Sequence, residues 1–188
     1  MNIQESKIQN VVLYFANKSQ KKTIDRLKLM KLIWLSDRLH LNKYGRMILN
    51  DKYKALPNGS IASKTMDMTK KNMQNAWEVN GYNIKALREA DLAFFSKSDI
   101  EIMNYVWEKF KDKEPFELSE YSHLFKEWKR FEKELIDKEL PNSYDIVIHD
   151  FFEFPESEKF EDLLSPKEIE LSKKEFNAHN SIQKFLTE

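Results

Sequence analysis

The chain has 188 residues, with 31 Lys plus Arg against 31 Asp plus Glu and no Cys. That length fits one domain with an appendage, and it can bury roughly 70% of its unfolded surface without a staple. The absent cysteines exclude disulfides and thiolate chemistry, and they suit a cytoplasmic location. Zero net charge argues against generic nucleic-acid binding, which rests on neutralising phosphates. The scarcity of Arg, confined to Arg26, Arg38, Arg46, Arg88 and Arg130, points the same way. No apolar run reaches the ~20 residues of a membrane span, and the first residues hold no apolar core of a secretion signal.

In chain order, Ile8, Val11, Val12 and Phe15 recur at helical spacing and predict an amphipathic helix over 3–17. Asp25 is a candidate N-cap for a second helix running to Tyr44, with Gly45 as its stop. Apolar residues lie all round the first half of that helix, which makes it the central, buried element. Met47–Leu49 and Tyr53–Leu56 predict a short hairpin about Asn50-Asp51. Pro57-Asn58-Gly59-Ser60 reads as a turn, with Ser60 capping a helix from Ile61 to Asn75. A second small hairpin is expected from Ile84–Leu87 and Leu92–Phe94.

Ser98 and Glu101 have the spacing of a capping box opening a helix with Ile102, Tyr105, Val106 and Phe110. Ser119 caps a short helix to Leu124, and 127–139 reads as a charged helix. Residues 141–164, with the acidic-aromatic run Asp150-Phe151-Phe152-Glu153-Phe154, are expected to be irregular. Ser165-Pro166-Lys167-Glu168 announces a last helix to about His179. The expected fold is mainly α, or α+β: a helical domain over 1–139 around the central helix, with one or two hairpins. Residues 140–188 form an extension packed on it.

No catalytic motif is present: no HExxH, no phosphate-cradling glycine loop and no nucleophile elbow. Among the histidines His40, His123, His149 and His179, only His149-Asp150 with Glu153 forms a local group that suggests a metal, and adjacent polar residues are commonly no more than that. The expectation is a binding protein, not an enzyme, without cofactor or metal. Asp37 stands inside the apolar helix; the commoner outcome is a half-exposed carboxylate paired with a cation, the functional one a polar anchor for the adjacent turn or a partner. The 57–60 turn, feeding a helix N-terminus, would offer N–H groups to an anion, although self-capping is the commoner outcome. His123 and Trp128 bring an imidazole near an indole, most often ordinary packing. Phe151, Phe152 and Phe154 form either a core edge or an exposed aromatic patch for a partner.

Several of these stretches resemble one family in order. Lys28-Leu29-Met30-Lys31-Leu32-Ile33-Trp34-Leu35-Ser36-Asp37-Arg38-Leu39-His40 is similar to the K-L-x-K-L-L-Y-L-A-D-R-x-H helix of the Panacea domain, found in SocA-like and phage-associated proteins. Tyr44-Gly45-Arg46-Met47-Ile48 and Asp51–Ile61 resemble its Y-G-R-x-I and D-x-Y-x-A-x-x-x-G-P-V segments. Leu118–His123 followed by Trp128 resembles its L-S-x-x-(S/T)-H before a Trp. The resemblance covers about residues 5–135, and Ser60 departs from the family's proline.

The resemblance implies an antitoxin that neutralises a cognate protein toxin, often one blocking translation, by direct binding. Alternatives are an adaptor that hands a toxin to a protease, or a phage or mobile-element interaction protein. It implies partner-binding positions at Asp37, Tyr44, Arg46, Tyr53, Asn58, Gly59, Ser60, His123 and Trp128; the aromatic run adds Phe151 and Phe152. The segment after 140 is expected to carry partner-specific contacts, so that deleting it weakens binding more than stability.

Overall fold

A computed structural model describes residues 2–187, with side chains to residue 182. The first helix, α1 (Ile3–Lys18), opens on a capping box between Asn2 and Glu5. Strand β1 (Thr23–Asp25) leads into α2 (Arg26–Tyr44), where the Asp25 carboxylate accepts from the Lys28 N–H and Gly45 ends the helix at φ 68°. Leu29–Asn42 are all buried, so α2 is the axis of the molecule, as the apolar residues all round its first half lead one to expect. Because that burial is unbroken, the polar residues of α2 must find partners inside the protein.

The first expected hairpin is displaced. Residues 47–50 form no strand; instead β2 (Tyr53–Leu56) pairs antiparallel with β3 (Gly59–Ala62), Leu56 opposite Gly59. Asp37 binds three successive N–H groups at 48–50, a curvature no ladder allows. The helix expected over 61–75 shrinks to α3 (Ser63–Met68), since Ser60–Ala62 are spent on β3. Its start is capped from a distance: the buried Asp51 carboxylate accepts from the Lys64 and Thr65 N–H groups and the Thr65 hydroxyl.

The second hairpin is β4 (Trp77–Asn80) with β5 (Asn83–Ala86), turning at Gly81-Tyr82 rather than at 88–91. The 88–91 segment is held by α1, where the amide oxygens of Asn10 and Asn17 accept the Asp91 and Ala90 N–H groups. Leu92–Phe94 is a single 3₁₀ turn. One sheet has the order β1-β5-β4, and Asn72 and Met73 take N–H groups along the β4 edge.

Helix α4 (Lys97–Phe110) starts two residues before the expected box, on Ser96 and Asp99; Glu101 instead accepts from Lys43 and Tyr44. Pro115 opens α5 (Pro115–Ser122) at its first position, ahead of the expected Ser119 cap. The charged stretch breaks into α6 (Lys126–Lys129) and α7 (Glu132–Ile136), between which Phe131 leaves helical geometry and stacks on Tyr144 at 5.1 Å. The irregular segment contains β6 (Tyr144–Asp145), which completes the second sheet in the order β3-β2-β6, and a 3₁₀ stretch over Ile148–Phe152. Helix α8 (Pro166–Thr187) begins at the Ser165–Glu168 box and runs beyond His179. The architecture is mainly α with two small sheets. One core runs from Ile8 to Leu164 and includes Phe151, Phe152 and Phe160, so residues beyond 140 share it.

Candidate functional site

The expected site residues gather at three places around α2. At the first, Asp37 is buried and accepts from the Ile48, Leu49 and Asn50 N–H groups at 2.8, 2.9 and 3.0 Å, and from the Tyr53 hydroxyl at 2.8 Å. The half-exposed, cation-paired carboxylate expected from composition is therefore replaced by the anchor of the adjacent turn. Burial pushes the Asp37 carboxyl upward, and these four donors pull against that rise. Tyr53 is pushed well up by burial and by the Asp37 charge, and its ring meets Phe151 edge-on at 5.4 Å.

At the second, the β2–β3 turn is gripped through its carbonyls. Trp128 Nε1 donates to Leu56 at 2.8 Å. Lys31 Nζ donates to Asn58 at 2.5 Å and Ser60 at 2.9 Å, and Ser119 Oγ also donates to Asn58, at 2.7 Å. His123 and Trp128 stack at 3.7 Å, so these two and Asn58, Gly59 and Ser60 form one cluster. The helix does not start at Ser60 but at Ser63, after β3, and the Asp51 carboxylate already takes its Lys64 and Thr65 N–H groups, which removes the anion-receiving end expected there. Ser60 instead lies in β3, fully buried, with a hydroxyl lacking a partner. Gly59 sits at φ 90°, and a Cβ there would fall 1.8 Å from Ser122 Oγ and 2.5 Å from Lys31 Nζ. Lys31 is buried with only carbonyls as partners, and desolvation holds its ammonium well below the ordinary lysine range. Burial lowers His123 as well, with the Lys31 charge adding to the shift.

At the third, Tyr44 donates to Glu101 at 2.8 Å, and Arg46 donates to Asp99 at 2.7 Å. Asp99 also meets Lys7 and the buried His40, each at 3.1 Å. Burial alone would raise Asp99, but His40, Lys7, Arg46 and the Ser96 N–H outweigh it and leave the carboxyl far below its usual range.

Phe151 and Phe152 are buried, so the exposed-patch alternative does not hold for them. The Asn42 amide donates to the Phe151 carbonyl at 2.7 Å, and Phe152 packs against Phe176 of α8. Nor do His149, Asp150 and Glu153 assemble a metal site. Asp150 is taken in two bonds of 2.6 Å by Arg130, Glu153 pairs with Lys126, and His149 lies against the Phe152 ring. Among the described residues no group of His, Asp and Glu is arranged to hold a metal, and no helix is long and apolar enough to cross a membrane.

A family model described as "Antitoxin SocA-like, Panacea domain" matches residues 29–129, from the buried first half of α2 to the tryptophan that grips the turn. The chain belongs to this family. The match starts and ends inside the 5–135 span of the motif resemblance. No curated protein and no solved structure matches the chain.

The expected positions, those in the Panacea domain and the two phenylalanines beyond it, divide by exposure. Arg46 and Asn58 are exposed, Tyr44 and His123 half-buried, and Asp37, Tyr53, Gly59, Ser60, Trp128, Phe151 and Phe152 buried. Sequence reasoning did not single out as site residues six further buried ionisable side chains: Lys31, Arg38, His40, Asp51, Asp99 and Glu127. Arg38 is fully buried. Its Nε meets Glu127 at 3.0 Å, its Nη2 donates to the Glu153 carbonyl, and its guanidinium lies 4.4 Å from the Phe125 ring and 4.2 Å from Phe154. Burial raises Glu127, whose Oε1 also accepts from Trp34 Nε1. The signal was available: a helix buried all round obliges its Lys, Arg and His to have internal partners.

Proposed function

We propose that this protein is an antitoxin that neutralises a cognate toxin, one that blocks translation, by direct protein–protein binding in the cytoplasm. The observation that carries this reading is the match of an antitoxin domain across residues 29–129. Neutralisation needs no chemistry from this chain: covering the toxin's working surface suffices. In this reading Tyr44, Arg46, Asn58 and His123 reach the partner. The buried Asp37, Tyr53, Gly59, Ser60, Trp128, Phe151 and Phe152 hold that surface in shape, so that association requires little ordering.

The test is growth rescue. Each small open reading frame beside the gene is expressed with and without this protein, and the toxic one is then co-purified. Restored growth with a stable complex supports the reading. Rescue that disappears in a protease-deficient host would point to delivery of the toxin for degradation. Absence of any toxic neighbour would refute the antitoxin role.

A further inference from the structure

The dipeptide Asn-Gly occurs twice in the chain, as Asn58-Gly59 and Asn80-Gly81, each time at the turn of a hairpin. Asparagine before glycine carries a latent reaction. The backbone nitrogen of the glycine can attack the side-chain carbonyl carbon of the asparagine, since no Cβ hinders the approach. A folded chain permits this only where the asparagine is exposed, the glycine N–H is free and the peptide between them has room to swing.

Asn58-Gly59 fails on the last two counts. Gly59 is buried and paired with Leu56 in the β2–β3 ladder. A Cβ there would fall 1.8 Å from Ser122 Oγ, so the backbone is closely walled in. The peptide itself is clamped: the Asn58 carbonyl accepts from Lys31 Nζ at 2.5 Å and from Ser119 Oγ at 2.7 Å.

Asn80-Gly81 meets all three conditions. Both residues are exposed, and a Cβ on Gly81 would meet nothing within 4 Å. Asn80 closes the ladder opposite Asn83, which leaves Gly81 beyond the last pair. Among the described residues no backbone group accepts the Gly81 N–H. The ties on this turn fall on carbonyls instead. Arg26 Nη2 donates to Gly81 at 2.9 Å, and the Arg26 N–H donates to Tyr82 at 2.8 Å.

We propose that Asn80 is a self-modification site, converted without an enzyme to aspartate and isoaspartate. The Gly81 nitrogen gives its proton to solvent base and bonds to the Asn80 side-chain carbon, from which the amide nitrogen leaves as ammonia. Water then opens the cyclic imide at either of its two carbonyls. One opening gives aspartate; the other gives isoaspartate, in which the main chain runs through the former side chain. Both products carry a new negative charge, and isoaspartate lengthens the main chain by a methylene. The two Arg26 bonds tolerate only a few tenths of an ångström before they weaken, so isoaspartate unties the β4–β5 turn from the start of α2. The reaction needs only water and no partner, and it stands apart from the antitoxin reading.

The test uses the full chain, incubated folded in mildly alkaline buffer and, in parallel, unfolded in guanidinium chloride. Mass spectrometry follows the gain of one dalton, and a peptide map separates aspartate from isoaspartate at each position. Dividing the unfolded rate by the folded rate removes the influence of the preceding residue, Pro57 or Val79. That ratio should be at least about tenfold larger at Asn58 than at Asn80, because attack by Gly59 waits for local opening of the turn. Similar ratios at the two positions, or a larger one at Asn80, overturn the proposal. Asn80→Gln should melt like the wild type and lose the gain at that position. If it melts early, the folded-to-unfolded comparison in the wild type decides. Amide exchange then reads the consequence. Protection at Arg26 should fall in the isoaspartate form and persist in Asn80→Gln aged for the same time; protection retained in the isoaspartate form overturns the untying.

Discussion

Replacing Asp37 tests the claim that one buried carboxylate shapes the 48–50 turn. Its Oδ1 accepts from the Ile48 and Leu49 N–H groups, and its Oδ2 from the Asn50 N–H and the Tyr53 hydroxyl. All four partners act as donors, so an acceptor-only group fits and an amide does not. Asp37→Asn keeps its oxygen toward Ile48 and Leu49 and turns its NH₂ toward Asn50, while the Tyr53 hydroxyl rotates to accept. One hydrogen bond to a charged acceptor is then lost, at about 1.5–3 kcal/mol, and two others weaken to neutral strength. Relief from burying a charge offsets part of this. The expected net loss is about 2–3 kcal/mol, or roughly 5–10 °C in melting temperature for a chain of this size.

Asp37→Ala abandons all three N–H groups, at about 1–3 kcal/mol each, for a total of about 4–6 kcal/mol. That is large against a typical stability of about 5–15 kcal/mol. Urea unfolding followed by tryptophan fluorescence gives both values. Amide exchange at Ile48 and Leu49 reports the turn itself: their protection should persist in the asparagine variant and collapse in the alanine variant. A loss under about 1 kcal/mol in Asp37→Ala, with those amides still protected, would refute the reasoning.

Gly59→Ala should cost about 2–4 kcal/mol by chemical denaturation, since it adds a Cβ at φ 90° against Ser122 and Lys31. Gly81→Ala, at φ 61° with nothing within 4 Å, should cost about 1 kcal/mol, and equal costs would undo the close-approach argument. Lys31 gives a pH signature. Its folded pKa is depressed below the unfolded value of 10.5, so in that window the unfolded chain holds a proton that the native state does not. The wild type should therefore gain stability over Lys31→Met as pH rises from 7 toward 10, and a gap independent of pH would show that the buried amine is not depressed. Deleting residues 141–188 removes β6 together with Phe151, Phe152, Phe160 and Leu164 from the core. It should abolish the cooperative melt, in contrast to the expectation that binding suffers more than stability; a truncated chain that melts like the full one would restore that expectation.

What the sequence by itself determined was local. Helix α2 could be read to the residue because Asp25, an apolar pattern and Gly45 act within a turn of where they stand. The Ser165–Glu168 start of α8 was legible for the same reason, as was the order of motifs that places the chain in its family. Tertiary structure decided what depends on partners far along the chain. Asp37 chooses a turn over a strand at 48–50, Asp51 starts α3 from a distance, and Asn10 and Asn17 hold 88–91 out of a hairpin. The same holds for the site. Composition could place Lys31 and Arg38 on a buried helix, but only the fold sets Lys31 under the β2–β3 turn and Arg38 between two phenylalanine rings. The two Asn-Gly pairs are the extreme case: alike in one dimension, they differ in what surrounds Gly59 and Gly81, because helical and strand periodicity report which way a side chain faces and not what it meets.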